Sequence, residues 1–357
     1  MGPFGGKGLA SNPRRVLRTD LHVHTRHSRL LKMSILSARD CYSEPIEVYR
    51  RAKARGMDLV TFTDHDTIDG CRELLEKEGE LADFFISEEV SVRDPRTGCR
   101  FHVGVYGIDE ASHREIQRLR GDAAELSAYL AGKRIPAALN HLGSSLARGR
   151  ISLEQIVDLA GQFPLIETRN AAQRQVPNAL AAQLAEVLEG RGRPTGRVGG
   201  SDAHALQRIA WAWTEAEASD RSSFLEALRE GRSAPRGVSA RLFPMIRDVY
   251  GIVGNYYRDV ITNRWSHFEP RARRRAAACA LVSLPLHLVA LPATATAFKQ
   301  AWVHGSSARL RRRLQEEAGG TRRGRARRSS EEPGEAPQIE GMGSPVRWIP
   351  RPGSEEV

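Results

Sequence analysis

The stretch DLHVHTRHS, residues 20–28, places one aspartate and three histidines within nine positions. If its first part is a β-strand, alternate side chains share a face, so Asp20, His22 and His24 point the same way. Two imidazoles on one strand face can bind a single metal ion, and Asp20 can orient a histidine from behind. His27 lies beyond the strand. The stretch therefore predicts a strand that ends in metal ligands.

Short apolar runs of this kind recur between residues 18 and 232, separated by stretches with apolar residues at helical spacing. Alternation of strands and helices favours a parallel sheet, and seven runs over this length favour a closed or nearly closed α/β barrel. Nearly every run ends in residues that can bind a metal: His22 and His24, Asp64 and His65, Glu89, His102, His141, Glu167, Asp202 and His204. Because the C-terminal ends of barrel strands meet at one mouth, we expect these side chains to converge.

This set contains more histidines and carboxylates than one zinc ion needs, and it contains no thiolate. Such donors suit several hard or borderline divalent ions, namely Zn²⁺, Mn²⁺ or Fe²⁺. Neighbouring ions can hold the attacking and leaving oxygens of a phosphoryl displacement and make hydroxide available near neutral pH. No motif for a nucleophilic serine or cysteine competes with this interpretation.

In their order along the chain, these residues resemble the signature of the PHP (polymerase and histidinol phosphatase) family: HxH, then TDH, a lone Glu, further single His residues and a closing SDxH. The resemblance covers residues 18–235 and implies a distorted (βα)7 TIM-like barrel. It implies two or three divalent ions, with Glu89 bridging two of them. The ligands that it implies are His22, His24, Asp40, His65, Glu89, His102, His141, Asp202 and His204. The catalytic residues that it implies are His22, His24, Asp64, His65, Glu89, Asp202 and His204.

Some positions are less clear than the rest. The spacing of DCYSEPIEV to a family segment selects Asp40 as the acidic ligand of the third ion, and His27 is the alternative. Glu89 is chosen over its neighbour Glu88 on the family pattern. Asp64 is interpreted as a support for His65. A family E-x-x-N segment matches Glu167 and Asn170, which we interpret as residues that hold the ligands in place.

The resemblance implies a metal-dependent phosphoesterase, a phosphoric ester hydrolase. The first expectation is hydrolysis of a phosphate monoester of a small metabolite or nucleotide by a metal-activated hydroxide. A 5′-to-3′ exonuclease acting on short nucleic acids is the alternative within the same chemistry. An inactive barrel that serves as a membrane- or nucleic-acid-tethered binding module is the alternative outside it.

Charge is unevenly distributed along the chain. The net charge is +11, but residues 1–230 are neutral, and the whole excess lies from residue 231 onward. Four widely spaced cysteines and the absence of an apolar leader segment predict a reducing, cytoplasmic location. The basic end predicts contact with an anionic membrane surface or with nucleic acid, although charge runs of this kind are commonly just solvated. No protein partner is indicated.

Beyond the predicted barrel, residues 241–314 are expected to form a helical, partly hydrophobic appendage, and residues 315–357 a disordered tail. Residues 276–298 carry no formal charge and are long enough to span a bilayer. Pro285, His287 and Pro292 weaken that interpretation, and positive flanks on both sides give no orientation. A membrane-surface or re-entrant segment and a helix packed on the barrel are the alternatives.

Overall fold

A computed structural model describes residues 13–28, 38–146, 151–265, 267 and 269–331. Its strands are β1 (Arg15–Thr19), β2 (Ser87–Arg93), β3 (Arg100–Tyr106), β4 (Ala137–Asn140), β5 (Leu165–Asn170), β6 (Gly196–Gly200), β7 (Ala212–Ala218) and β8 (Ala234–Gly237). Its helices are α1 (Pro45–Ala54), α2 (Asp69–Glu78), α3 (Glu110–Leu119), α4 (Ala123–Gly132), α5 (Leu142–Leu146), α6 (Leu153–Ala160), α7 (Gln175–Gly190), α8 (Arg221–Arg229), α9 (Leu242–Thr262), α10 (Pro270–Leu288) and α11 (Leu291–Glu331).

Several helices begin at a side chain that caps their free backbone N–H groups. Asp109, Asp122, Ser152 and Asp220 accept hydrogen bonds from N–H groups in the first turns of α3, α4, α6 and α8. Ser152 and Gln155 form a reciprocal capping box. These short polar residues explain why each helix starts where it does after a loop.

The strands form a mixed α/β structure with two sheets. One sheet has the order β2-β3-β4-β5-β6, and the other has the order β1-β7-β8. Among the strands of the described residues, parallel ladders join β4 to β5 and β5 to β6, whereas the other neighbouring strands are antiparallel. Only residues 94–99 separate β2 from β3, which is too short for the crossover that parallel strands require.

A closed (βα)7 barrel is not confirmed for the described residues. The first two predicted strands, in DLHVHTRHS and in MDLVTFTDHD, contribute isolated bridges instead of ladders. Val23 bridges to Ala203, Val60 to Phe84 and His65 to Glu89, each in a parallel sense. The ends of these irregular segments nevertheless lie beside β2 and the end of β6, which positions the histidines of both segments.

The core lies between the larger sheet and the helices that cover it. Val103 and Leu139 of β3 and β4 are fully buried with Ile116, Leu126 and Leu184 of α3, α4 and α7. Removing the apolar surface of these side chains from water is the main stabilising contribution to such a fold. The site described below contains residues at or just beyond the C-terminal ends of β4, β5 and β6, together with Glu89 inside β2 and His102 near the start of β3.

The C-terminal part contains the predicted helical appendage. Tyr256 and Val260 of α9 pack with Ala276 and Ala280 of α10 and with Tyr42. The backbone of α11 stays helical as far as Glu331, although residues 315–357 are predicted to be disordered. Residues up to Leu314 belong to one structural unit, and those from Gln315 to a second. Residues 332–357 of the predicted tail lie outside the described range.

No single helix among the described residues is long and apolar enough to cross a bilayer. Helices Pro270–Leu288 and Leu291–Glu316 meet the criteria of length and composition only as a pair, and their axes bend by 69°. Ala290 lies at the bend with φ 65°, a left-handed conformation that interrupts the helix. The uncharged stretch 276–298 is therefore a bent helix pair in this structure.

Candidate metal centre

Nine side chains from separate elements meet at one end of the larger sheet. They are the predicted ligands His22, His24, Asp40, His65, Glu89, His102, His141, Asp202 and His204, hereafter the histidine–carboxylate cluster. Eight of them form four overlapping groups in which the potential ligand atoms lie within 4.8 Å of one another. Asp40 joins through His65 and His204. The predicted convergence is found, while binding of metal by these residues remains a prediction.

Glu89 lies at the centre of the cluster and is fully buried. Its Oε1 lies 2.9 Å from His141 Nε2 and 3.4 Å from His102 Nδ1. Its Oε2 lies 3.1 Å from both His22 Nε2 and His65 Nδ1. Because its two oxygens face different histidine pairs, this carboxylate can bridge two ions.

Glu88 faces the opposite side of the same strand. It accepts a hydrogen bond from Gln117 Nε2 at 2.8 Å and pairs with His113 Nδ1 at 3.0 Å. Alternation along β2 therefore places Glu89, and not Glu88, in the cluster.

The two histidines of the opening stretch lie beside the SDAH segment. His22 Nε2 and His24 Nε2 lie 3.6 Å and 3.4 Å from Asp202 Oδ1. The backbone holds these residues together, because Asp202 N donates to His22 O at 2.7 Å and His24 N donates to Ala203 O at 3.1 Å. Segments separated by 180 residues are thus held in register at the site.

Asp40 occupies the place of the third acidic ligand. Its Oδ2 lies 3.5 Å from His204 Nε2 and 3.8 Å from His65 Nε2. Ser28 donates to the same oxygen at 3.1 Å and contacts His24 Nδ1 at 3.2 Å. The alternative residue, His27, instead pairs with Glu73 through Nε2 at 2.6 Å. The geometry therefore favours Asp40.

Glu167 and Asn170 support the cluster from behind, as the sequence predicts. Glu167 Oε1 lies 2.9 Å from His22 Nδ1, and its Oε2 accepts from His141 N at 2.8 Å and from Asn170 Nδ2 at 2.9 Å. Because a carboxylate only accepts, His22 donates through Nδ1, which leaves Nε2 as the ring atom that faces the cluster.

Two aspartates have roles that differ from the expected ones. Asp64 accepts from Thr25 N and Thr25 Oγ1, each at 2.6 Å, so it anchors the opening stretch and does not support His65 through its side chain. It belongs to none of the four groups, which favours a positioning role over the predicted catalytic role. Asp20 accepts from Ser201 N and Ala210 N and orients backbone, not an imidazole. Burial raises the pKa of Asp64 to about 7 and that of Asp20 to about 6.

Burial and charge together set the ionisation of the cluster. Burial opposes ionisation of Glu89, but His22 and the other imidazoles hold its pKa well below the ordinary value. Burial lowers the pKa of His65 to about 3 and also lowers that of His24, so both are neutral at pH 7 with a lone pair to donate. Despite its burial, His22 has a pKa raised well above the ordinary value by Glu89. A divalent cation would displace its proton.

The buried atoms of the cluster that make no hydrogen bond show whether a metal ion would fit. Buried polar atoms are nearly always hydrogen-bonded, so a group of unpaired ones requires an explanation. Six such atoms belong to the cluster: His22 Nε2, His24 Nε2, Asp40 Oδ1, His65 Nδ1, Glu89 Oε2 and His141 Nδ1. They are imidazole nitrogens and carboxylate oxygens, the donors that borderline divalent ions prefer. The residues therefore fit a divalent metal centre.

Sequence reasoning missed four residues that hold the cluster in place. Thr25 donates to Asp64, and Ser28 donates to Asp40. Asn140 donates to Glu89 Oε1 at 3.0 Å. Gly200 packs directly against His22. Asn140 adjoins His141, and Gly200 adjoins the SDxH motif. Their position next to a ligand in the sequence could have identified these two residues.

Replacing Gly200 by alanine is expected to destabilise the fold by about 1–3 kcal/mol. An added Cβ would lie 2.3 Å from His22 Cβ and 2.8 Å from His22 N, so the opening stretch would have to move. Urea unfolding measures the loss. Gly132→Ala is the control, because a Cβ there meets no atom within 4 Å and alanine favours the helix. Equal stabilities of the two variants would contradict the close approach.

A sequence profile described as PHP-associated matches residues 177–233. An uncharacterized protein of Methanocaldococcus jannaschii is 30% identical over 91 residues, which cover 21% of this chain and 53% of that protein. The chain thus spans about half the length of this curated relative.

Solved structures from three bacteria are similar at low identity. A candidate metal-dependent phosphoesterase from Bifidobacterium adolescentis has 15% identity and a TM-score of 0.40, covering 62% of this chain and 96% of that chain. PsfC from Pseudomonas syringae has 18% identity and a TM-score of 0.45, covering 70% and 100%. An amidohydrolase from Chromobacterium violaceum, solved with sulfate and no metal, has 17% identity and a TM-score of 0.41, covering 60% and 97%.

The PHP-associated match contains Asp202 and His204, the closing SDxH pair of the cluster. In the structure, that pair lies against the HxH, TDH and lone-Glu residues that carry the sequence resemblance. This match and this arrangement of motifs support the resemblance to the PHP-domain family.

Proposed function

We propose that this protein is a metal-dependent phosphoesterase that hydrolyses a phosphate monoester of a small metabolite or nucleotide. The observation that carries the proposal is Glu89, whose two oxygens face histidines of different groups. A bridging carboxylate between histidine-rich groups suits two neighbouring cations better than one. The resemblance to the PHP-domain family supports a hydrolytic role.

The residues of the cluster can be assigned to three ions. His22, His24, Asp202 and Glu89 would hold one ion, His102 and His141 with Glu89 a second, and Asp40, His65 and His204 a third, with Zn²⁺, Mn²⁺ or Fe²⁺ as candidates. When bound, such ions supply activated water and neutralise charge on phosphate oxygens. The supports behind the ligands, chiefly Glu167 on His22, keep the imidazoles oriented for this task.

One edge of the cluster is open to substrate. The side chains of His102 and His204 are 24% and 22% exposed, whereas His22, His24 and Glu89 are buried. A phosphate group would approach from this exposed edge, while the buried side holds the ligands away from water. Low exposure on that side strengthens each electrostatic contact.

We also infer that residues 20–25 and 59–65 complete an irregular seven-membered ring with β2 to β6, as in a distorted (βα)7 barrel. Support comes from hydrogen bonds that link each neighbour. Thr63 N donates to Val23 O at 2.8 Å, and Asp66 N donates to Glu89 O at 2.9 Å. On the other side, Asp202 N donates to His22 O.

The proposal is tested with protein purified without chelator. We expect it to retain divalent metal, and to hydrolyse an aryl phosphate when Mn²⁺ or Zn²⁺ is supplied. His22→Ala and Asp202→Ala should each lower kcat/KM by at least about a hundredfold. A screen of phosphorylated metabolites, nucleotides and short oligonucleotides then separates a monoesterase from an exonuclease. Metal-free protein without activity would overturn the proposal in favour of a binding module.

A further inference from the structure

Helix α10 has its large apolar residues on the outside and its small residues on the inside. The buried or half-buried positions lie along one face at helical spacing: Ala272, Ala276, Cys279, Ala280, Ser283 and His287. This face contacts α9, where Tyr257 Oη lies 2.7 Å from His287 Nδ1 and 3.2 Å from Ser283 Oγ. A helix on a water-exposed surface normally has the reverse arrangement.

The exposed side of α10 and the start of α11 form one apolar surface, hereafter the apolar corner. It contains nine of the thirteen exposed large apolar residues in the described part of the chain: Leu281, Val282, Leu284, Leu286, Leu288, Val289, Leu291, Phe298 and Trp302. Five of them are more than 70% exposed. A concentration of exposed apolar residues on two consecutive helices indicates an interaction site.

Both ends of the apolar corner are held by the rest of the fold. On α10, Ala276 and Ala280 are buried against Tyr256. On α11, the buried residues Gln300, Val303, Ser307 and Leu314 follow at spacings of three, four and seven, which places them on one helix face. Leu314 packs with Leu153 and Leu180. The corner therefore projects from an anchored base.

The charges around the corner have one sign. No aspartate or glutamate occurs from Pro270 to Gln315, whereas that range contains eight arginines and one lysine. Arg271, Arg274 and Arg275 lie exposed in the first turns of α10, directly before the uncharged stretch. An apolar surface beside exposed cations complements a bilayer with anionic headgroups. A second copy of this chain would bring like charges together.

We propose that the apolar corner inserts into one leaflet of an anionic lipid bilayer, with the arginines of α10 at the headgroups. From Arg275 to Leu288 a helix rises about 20 Å, which is less than the thickness of the hydrocarbon core, roughly 30 Å. The axes of α10 and α11 bend by 69°, so the pair does not form one straight helix across the bilayer. This attachment does not depend on the proposed phosphoesterase activity.

The test is flotation of the full chain with lipid vesicles. We expect the chain to float with vesicles of equal parts phosphatidylglycerol and phosphatidylcholine. The fraction that floats with vesicles of phosphatidylcholine alone should be at least tenfold smaller. Leu281→Glu with Leu288→Glu should reduce binding to the anionic vesicles at least tenfold. Changing Arg271, Arg274 and Arg275 to glutamine should weaken it roughly fivefold per arginine.

The matched control is Val16→Glu with Val238→Glu, which adds the same charge at apolar residues that are exposed outside the corner. We expect this variant to float like the unaltered chain, and thermal unfolding checks that each variant is folded. Equal flotation of the corner variant and the control would overturn the proposal. So would failure of the unaltered chain to float, or an apolar corner that instead mediates dimers in lipid-free buffer which the corner variant dissociates.

Discussion

Replacing Glu89 by glutamine is expected to remove metal from the centre and to lower kcat/KM for an aryl phosphate by roughly a thousandfold, about 4 kcal/mol of barrier. The amide is nearly the same size as the carboxylate but carries no charge. It would leave the facing histidines His22, His65, His102 and His141 without their shared anion. Metal content of protein purified without chelator and steady-state kinetics measure the two effects.

Glu88→Gln is the matched control for this variant. Glu88 is the neighbouring residue on β2, is equally buried, and interacts with His113 and Gln117 on the other face of the strand. We expect its metal content and kcat/KM to stay close to those of the unaltered protein. Full metal occupancy in Glu89→Gln, or equal losses of metal and activity in both variants, would contradict the role proposed for Glu89.

Asp40→Asn is expected to lower kcat/KM about a hundredfold and to remove one equivalent of metal while the others remain. Asp40 is the carboxylate that faces both His65 and His204, and its Oδ1 is buried without a hydrogen bond. The asparagine keeps the shape of the side chain and a hydrogen bond with Ser28, so the expected loss comes from charge.

His27→Ala distinguishes the two candidates for the third ligand. His27 pairs with Glu73 and makes no contact with the cluster among the described residues. We therefore expect His27→Ala to keep its metal content and activity. Loss of metal in His27→Ala together with an unaffected Asp40→Asn would reverse the assignment.

Residue identity and order were enough to predict most of the candidate site. Metal-binding side chains are rare at the ends of apolar runs, so their recurrence in seven runs points to one shared site whatever the details of the sheet. The same argument does not identify the uncharged residues that hold the ligands in place. Thr25, Ser28 and Asn140 are common polar residues, and only their distances to Asp64, Asp40 and Glu89 identify their roles.

Strand direction was harder to predict than site residues. Periodicity reports which face of a segment is buried but not which neighbour it pairs with. The sequence between β2 and β3 did contain the information, because residues 94–99 are too few for a crossover. The two histidine-bearing segments read as strands by composition, yet they form single bridges, since their backbones bond to Asp202, Ala203 and neighbouring irregular segments.

By itself, the amino-acid sequence determined the chemistry of this protein: which donors are available, that none is a thiolate, and that the basic charge lies outside the predicted catalytic part. These are properties of residue types and their order. Only the tertiary structure decided which oxygen of Glu89 faces which histidine, that Asp40 and not His27 joins the cluster, and that the leucines of α10 point outward. Each of these depends on the direction of a side chain, which packing sets between segments far apart along the chain.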